Sequence, residues 1–294
     1  MISIDVVIPC AGRAADLMRL LESIHMQCAA SLSTLCASIT VSDDRYSAQL
    51  GRQVSEAHPS VRYVSGPSRG PAANRNHGSA QGSAPWILFL DDDCYLVNDA
   101  LQAYAGRILA NAKIDVLEGA IHAVGARPNG NHHAPLNLDG GQLWSCNLLV
   151  RRAAFAAVGG FDEDFPFACL EDSDLHDRLR FHGAVIQFAD DAVVLHPWRS
   201  ISEKEVSRQI ISHAIYAQKH PEFARRFDLL HLLRALRARL RQYRTGSFAS
   251  IPRAKYRTVG FDFLAPLAVY AVVRWPLLRR ALSDRYRNRP AQLV

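Results

Sequence analysis

Hydrophobic and polar positions fall into short blocks through the first two-thirds of the chain, and their period switches repeatedly between strand-like and helix-like spacing. Ile4 to Ile8 is a β-branched run that predicts a short strand stopped by Pro9. Leu17, Leu20, Leu21 and Ile24 recur three and four residues apart, so residues 16–23 read as an amphipathic helix. Strand patterns return at 37–42, ending in Asp43 and Asp44, and again at 61–64. Gly66 to Pro71 is loop chemistry, and 72–80 reads as a short helix. Trp86 to Leu90 (WILFL) is a continuous apolar run, the pattern of a strand buried on both faces, and it ends in Asp91, Asp92 and Asp93. A helix at 98–111 and a strand at 116–124, with Glu118 inside it, come next. Residues 125–141, rich in Gly, Asn and Pro, are too long for an ordinary connection and predict a lid or spacer. His132 and His133 read there as a solvated loop pair, with substrate contact the second reading.

This alternation predicts an α/β fold with a mostly parallel central sheet flanked by helices on both faces. After His196 the pattern changes: no strand candidate remains, and helices are predicted at 203–219 and 229–243. A boundary near Arg199 therefore divides a domain at 1–199 from a helical extension at 200–294. Composition agrees with a globular chain, 49% apolar and 21% charged. Charge changes the picture more. Residues 200–294 hold 19 Lys and Arg against 6 Asp and Glu, a net of +13, which leaves −7 for residues 1–199 of the overall +6. The extension is thus suited to something anionic, and the first part to cations. Leu229, Leu232, Leu233, Leu236 and Leu240 form one helical stripe, with Arg234, Arg237, Arg241 and Arg244 beside it. The apolar run 261–273 reads as too short, and too interrupted by Asp262 and Pro266, to span a bilayer. Two uses of this stretch stay open: lying in the plane of an anionic membrane surface, or packing on the first domain with the arginines solvated. No recognised nucleic-acid motif accompanies the charge, so nucleic acid is not an expected partner. Six cysteines lie scattered without a CxxC pair, and Met1 to Pro9 runs straight into a strand without a basic leader. The expected location is cytoplasmic, peripheral on the cytoplasmic face of the membrane if the tail binds there.

Candidate chemistry concentrates where strands end. Asp91, Asp92 and Asp93 follow a buried strand, at the edge where open α/β sheets bind ligands. Three adjacent carboxylates repel one another and lose hydration if packed there unpaired. A divalent cation among them would turn that to advantage, because hard cations take carboxylate oxygens; a solvated acidic turn is the other reading. Glu171 to Gly183 reads as a helix with acidic residues in its first turn and Gly183 as its stop. Cys10 to Arg13 (CAGR) holds one glycine, which supports neither a dinucleotide-binding turn nor the loop of a sugar nucleotidyltransferase.

Several pieces occur in order: Ile4 to Pro9 (IDVVIP), Val41 to Asp44 (VSDD), Arg75-Asn76 with Gly78, Phe89 to Asp93 (FLDDD), Gly159 to Glu163 (GGFDE), Glu171 to Leu175 (EDSDL) and Leu195 to Pro197 (LHP). Over residues 3–199 this order resembles the family 2 glycosyltransferases, inverting enzymes of the GT-A fold that use nucleotide-sugar donors. The resemblance implies a nucleoside-diphosphate-sugar donor, Mn²⁺ or Mg²⁺ as cofactor, and a glycan or lipid-linked acceptor hydroxyl. It places Pro9, Asp43, Asp44, Arg75, Asp91, Asp92 and Asn147 at the donor, with Asp44 favoured for the base, Asp92 for the ribose and Asn147 beneath the sugar. Asp91, Asp93 and His196 are the implied metal ligands, Asp93 the principal one. Asp172 is the implied general base, and Glu171 its support or the group orienting the acceptor. The sequence departs from the usual Asp-Asp-Gly-Ser by reading Asp43-Asp44-Arg45-Tyr46. Alternatives are a non-catalytic adaptor that keeps the fold and binds through its basic tail, and a sugar nucleotidyltransferase.

Overall fold

The computed structural model describes residues 1–30, 35–245 and 251–286. Strand β1 (Ile2–Cys10) leads through helix α1 (Ala14–Ala30) to β2 (Leu35–Asp43), then α2 (Ala48–Ala57), β3 (Arg62–Ser65), α3 (Pro71–Ser79) and β4 (Trp86–Leu90). Next come β5 (Tyr95–Val97), α4 (Ala100–Ala110), β6 (Val116–Ala123), β7 (His132–His133), β8 (Asn147–Arg151), α5 (Arg152–Ala157), α6 (Glu171–Phe181) and β9 (Ile186–His196). The main sheet has eight strands in the order β3-β2-β1-β4-β8-β6-β9-β5. Pairings β3–β2, β2–β1, β1–β4 and β6–β9 are parallel, while β4–β8, β8–β6 and β9–β5 are antiparallel. The sheet is therefore mostly parallel, with its antiparallel pairs confined to the second half.

The pleat explains why the apolar runs are continuous. Trp86, Leu88 and Leu90 pack into a core with Leu17, Leu20, Leu101 and Tyr104 of α1 and α4, whereas Ile87 and Phe89 face Phe155, Leu175 and Leu179 of α5 and α6. All five β4 residues are buried. The parallel register sets Cys10 beside Asp43, and β4 joins β1 as far as Val7 opposite Phe89. The carboxyl ends of β1, β2 and β4 consequently open on one edge.

Pro9 does not stop β1, which runs on to Cys10. The Cys10 carbonyl accepts from Asp44 N–H on the β2 side, so Pro9's missing N–H falls on the opposite side, beyond the last β4 pair. A strand also follows His196: β10 (Arg199–Ser200) pairs antiparallel with β7. Two residues are too few for any periodicity to announce. Residues 125–141 are accordingly tied down instead of forming a free spacer. Glu118, buried in β6, accepts from the amides of Gly141 (2.7 Å), Gln142 (3.1 Å) and Leu143 (3.1 Å). His132 and His133 lie in β7, and Gln242 donates to His133 Nε2 at 3.1 Å.

The extension consists of α7 (Glu203–Lys219), α8 (Pro221–Arg226), α9 (Leu229–Thr245), α10 (Tyr256–Arg274) and α11 (Pro276–Tyr286). Ser202 and Glu205 form a capping box that starts α7. Ile211, Ile215 and Tyr216 of α7 pack on Phe165 and Phe167 of the loop before α6. Lys219 bridges Asp162 and Asp164 at 2.6 Å each, and His220 meets Asp174 at 2.9 Å. The helical part is thus docked beside α6. The segment Arg253–Arg274 is 22 residues long, enough in length and apolar composition to cross a membrane, against the expectation from the sequence. The helix extends past both ends of the apolar run, and Asp262 and Pro266 sit within it, on its packed face.

Candidate active site

The cleft at the sheet edge has a volume of about 570 Å³, the size of a small-ligand site. Pro9 and Arg13 from the end of β1, Asp44 and Arg45 after β2, Arg75 from α3, and Asp91 and Asp92 after β4 line it. Phe167, Lys204 and Arg208 close it from the other side, the last two from α7.

Asp43 is wholly buried; its Oδ1 accepts from Arg45 N–H at 2.9 Å and its Oδ2 from the Tyr63 hydroxyl at 2.5 Å. Its carboxylate closes the turn, and Asp43 is absent from the cleft lining. Asp44 does line the cleft, with Oδ1 taking the Ser68 amide (2.9 Å) and Oδ2 the Gly70 amide (3.1 Å). Burial raises its pKa, and those two amides partly oppose the rise. Gly70 has φ +99°, and a Cβ there would collide with the Pro166 carbonyl, so only glycine lets this strap close over Asp44.

Arg75 is the hub. Its guanidinium, 3% exposed, donates to Asp91 Oδ1 at 2.8 Å and to Glu171 Oε1 at 3.1 Å, joining the end of β4 to the start of α6. Burial works against the Asp91 carboxylate, but Arg75, His196 and Arg13 outweigh it and hold its pKa below the ordinary value. Asp92 is pushed up to about 6 by burial, with repulsion from Asp93 and Asp91 opposed by Arg13. At the head of α6, Glu171 is pushed up to about 8 by burial and by Asp172, with Arg75 opposing. Asp172 is also raised, again chiefly by burial. Asp172 Oδ2 accepts from Ser145 N–H at 3.1 Å, whereas its Oδ1 and Glu171 Oε2 are buried without a hydrogen-bond partner among the described residues.

Asp93 is held by arginines on one oxygen and open on the other. Arg13 and Arg199 both bind Oδ2, Arg199 from 2.9 Å, and Arg199 also reaches Asp16 at 2.9 Å. Oδ1 has no hydrogen-bond partner among the described residues and lies 3.3 Å from His196 Nε2. His196 Nδ1 is 2.8 Å from the Pro197 carbonyl, which can only accept. A proton therefore sits on Nδ1, and the Pro197 contact turns Nε2 toward Asp93, the arrangement that orients imidazole toward a metal. Asp93, Cys94 and His196 bring one ligand atom each within 4.8 Å of one another. A carboxylate oxygen and an imidazole nitrogen suit a divalent ion of the Mn²⁺ type, so these residues fit the cation that the resemblance implies. Asp91 is not in this group; its carboxylate is turned to Arg75.

The protein-family model described as glycosyl transferase family 2 matches residues 5–158, more than half of the chain. The chain belongs to glycosyl transferase family 2. A second family model, the N-terminal domain of galactosyltransferase, matches residues 129–196. Among curated relatives, the pre-mycofactocin glycosyltransferase of Mycobacterium tuberculosis is 28% identical over 239 residues, covering 74% of this chain and 48% of that protein. Validoxylamine A glucosyltransferase of Streptomyces hygroscopicus is 27% identical over 261 residues, covering 74% and 61%. The chain thus spans about half to three-fifths of the length of these relatives. Two solved structures share its fold. The mannosyltransferase PcManGT of Pyrobaculum calidifontis, solved with GDP-Man and Mn²⁺, has a TM-score of 0.56 at 16% identity, covering 92% of this chain and 87% of that one. TarS of S. aureus, solved with UDP, gives 0.54 at 16%, covering 93% and 90%. The fold is therefore GT-A, with a helical C-terminal region.

Against that family frame, Pro9, Asp44, Arg75, Asp91 and Asp92 share one cleft, and Glu171 joins it through Arg75, with Asp172 next to it in the first turn of α6. Asp93 and His196 lie at its end, reached through Arg13. Asn147, expected beneath the donor sugar, is spent inside the sheet. It donates to the Ala120 and Ala192 carbonyls (2.9 and 2.8 Å) and accepts from Tyr104 (2.8 Å). Asp162 accepts from Asp164 N–H and fixes its turn. Sequence reasoning missed Arg13, Arg199, Lys204, Arg208 and Phe167 as site residues. Only Arg13 carried a signal, a cation in the turn after the first strand; Phe167 and Arg199 fall outside the motifs, and Lys204 and Arg208 belong to the helical extension.

Proposed function

We propose that this family 2 chain is an inverting glycosyltransferase that moves a hexose-type sugar from a nucleoside diphosphate to a hydroxyl of a glycan or lipid-linked acceptor. One observation carries the reading: Asp172 Oδ1 is buried without a hydrogen-bond partner among the described residues, and the adjacent Glu171 is joined through Arg75 to Asp91 at the donor cleft. Asp172 takes the acceptor proton as that oxygen attacks the anomeric carbon, and the bond from that carbon to the diphosphate breaks with its electron pair leaving on the phosphate oxygen. Ser145 N–H holds the other carboxylate oxygen, which leaves Oδ1 to accept the proton. Burial and the adjacent Asp172 raise Glu171 to about 8, with Arg75 opposing, and burial raises Asp172 as well, so the two neighbouring carboxyls resist ionising together. Asp44, which lines the cleft, takes the nucleoside in this reading, and Arg13, Arg45, Lys204 and Arg208 give the cleft the cationic wall that a leaving diphosphate needs. Asp93 and His196 would hold the divalent cation, which when bound neutralises charge on the departing diphosphate.

The test is Asp172→Asn. The amide keeps the shape and removes the base, so donor affinity should hold while kcat falls about a thousandfold, within the range assigned to general-base loss. Wild-type kcat in this variant would refute the assignment of the base.

A further inference from the structure

α10 is apolar on every side, and such a helix needs cover on its whole circumference. α7 and its neighbours cover one side only. Val259, Asp262, Ala265, Val269 and Val273 fall on that buried arc. The opposite arc carries Phe261, Leu264 and Leu267, with Leu264 54% exposed. Beyond the end of the helix, Trp275 and Leu277 are 65% and 86% exposed. α9, packed beside α10, adds exposed Leu233 and Leu240. These side chains lie on consecutive elements, unlike the scattered single residues of an ordinary surface. Asp262, the one acid within α10, is fully buried; it binds the Tyr243 hydroxyl at 2.7 Å and Arg239 at 3.3 Å. The exposed stripe is therefore free of negative charge. Exposed Arg257 and Arg274 stand at its two ends, and exposed Arg234, Arg237 and Arg241 line α9.

We infer that α9, α10 and the start of α11 form a docking face for the surface of an anionic bilayer, with the α10 stripe lying in the membrane plane. The apolar arc supplies burial, and the arginine stems reach back to lipid phosphates. Charge selects this occupant over a second copy of the chain: the +13 of residues 200–294 would bring two basic faces together in a self-contact. An anionic lipid surface instead attracts each nearby Lys or Arg. The inference stands apart from the transferase reading, because binding to vesicles needs no nucleotide sugar.

The experiment is co-sedimentation of the full chain with vesicles of phosphatidylcholine alone or mixed with phosphatidylglycerol, alongside sedimentation velocity without lipid. The expected result is capture by the anionic vesicles only, weakened by added salt. The pair Leu264→Glu with Leu267→Glu should lower the bound fraction about tenfold while donor turnover in solution stays unchanged. The charge reversal Arg234→Glu with Arg237→Glu and Arg241→Glu should lose binding as well, independently of the α10 surface. Wild-type chain that stays in the supernatant with anionic vesicles would overturn the inference. So would a concentration-dependent dimer abolished by the paired leucine variant, since the stripe would then be a self-contact.

Discussion

Replacing Arg75 by methionine removes the charge at the centre of the site and keeps most of the side chain's volume. The stem can still pack near Phe161, whose ring centre lies 5.4 Å from the guanidinium carbon. What is lost is the ion pair to Asp91 at 2.8 Å and the pair to Glu171 at 3.1 Å, both made by a guanidinium 3% exposed. Breaking a buried pair from one side costs about 3–5 kcal/mol, mostly because the remaining charge has no partner. Two pairs break here, yet the costs do not add, because a stranded carboxylate takes up a proton instead of staying charged. That escape makes the loss depend on pH. In the wild type Arg75 helps hold Asp91 below its ordinary value, so Asp91 contributes stability above its unfolded pKa of 3.8 and loses it as pH falls through the folded value. Without Arg75, burial raises Asp91, and the folded variant binds more protons than the unfolded chain. The variant should therefore be about 4 kcal/mol less stable than wild type near pH 8, and the gap should shrink to about half near pH 5.5. Urea unfolding followed by tryptophan fluorescence at both pH values measures this. If so large a loss unfolds the chain, Arg75→Lys, which cannot fork to two carboxylates, should show a smaller deficit with the same pH trend. A deficit below about 1 kcal/mol, or one equal at both pH values, would refute the hub.

The other predictions concern the same cleft. Lys204→Ala and Arg208→Ala should each lower kcat/KM for the donor about tenfold, because each removes one cation from the wall that binds the diphosphate and stabilises its departure; steady-state kinetics with the soluble donor checks this. Glu171→Gln should flatten the pH dependence of stability. The native carboxyl, raised to about 8 against a reference of 4.5, stabilises fully below its unfolded pKa and loses that contribution as pH rises through about 8. The variant should gain on wild type by up to about 4 kcal/mol near pH 9, read from thermal unfolding across pH.

The elements that the sequence displayed are those whose cause is local. Trp86 to Leu90 is apolar at every position because both faces of β4 are covered, so the run alone identifies a buried strand and places Asp91 to Asp93 at its end. Gly183, at φ +76°, ends α6 as its position in the sequence implied. The arrangement around Asp93 was not legible in this way. Arg13 lies 80 residues from it and Arg199 106, and no period or motif spacing reports such contacts. The boundary near Arg199 failed as a guide to the site for the same reason. It marks a real change from strands to helices, yet α7 starts just beyond it and delivers Lys204 and Arg208 to the cleft. Asn147 shows the converse: its place in the motif order pointed to the donor, but three hydrogen bonds hold it inside the sheet.

The central claim is tested most directly by release of nucleoside diphosphate from a panel of nucleotide sugars, with Mn²⁺ or with EDTA, by the wild type and Asp93→Ala. The account predicts that one donor is turned over slowly by the wild type in Mn²⁺, and that both EDTA and the substitution abolish the release. Turnover unaffected by EDTA and by Asp93→Ala would contradict the assigned metal site, and a chain that neither turns over nor binds any donor would contradict the transferase reading itself.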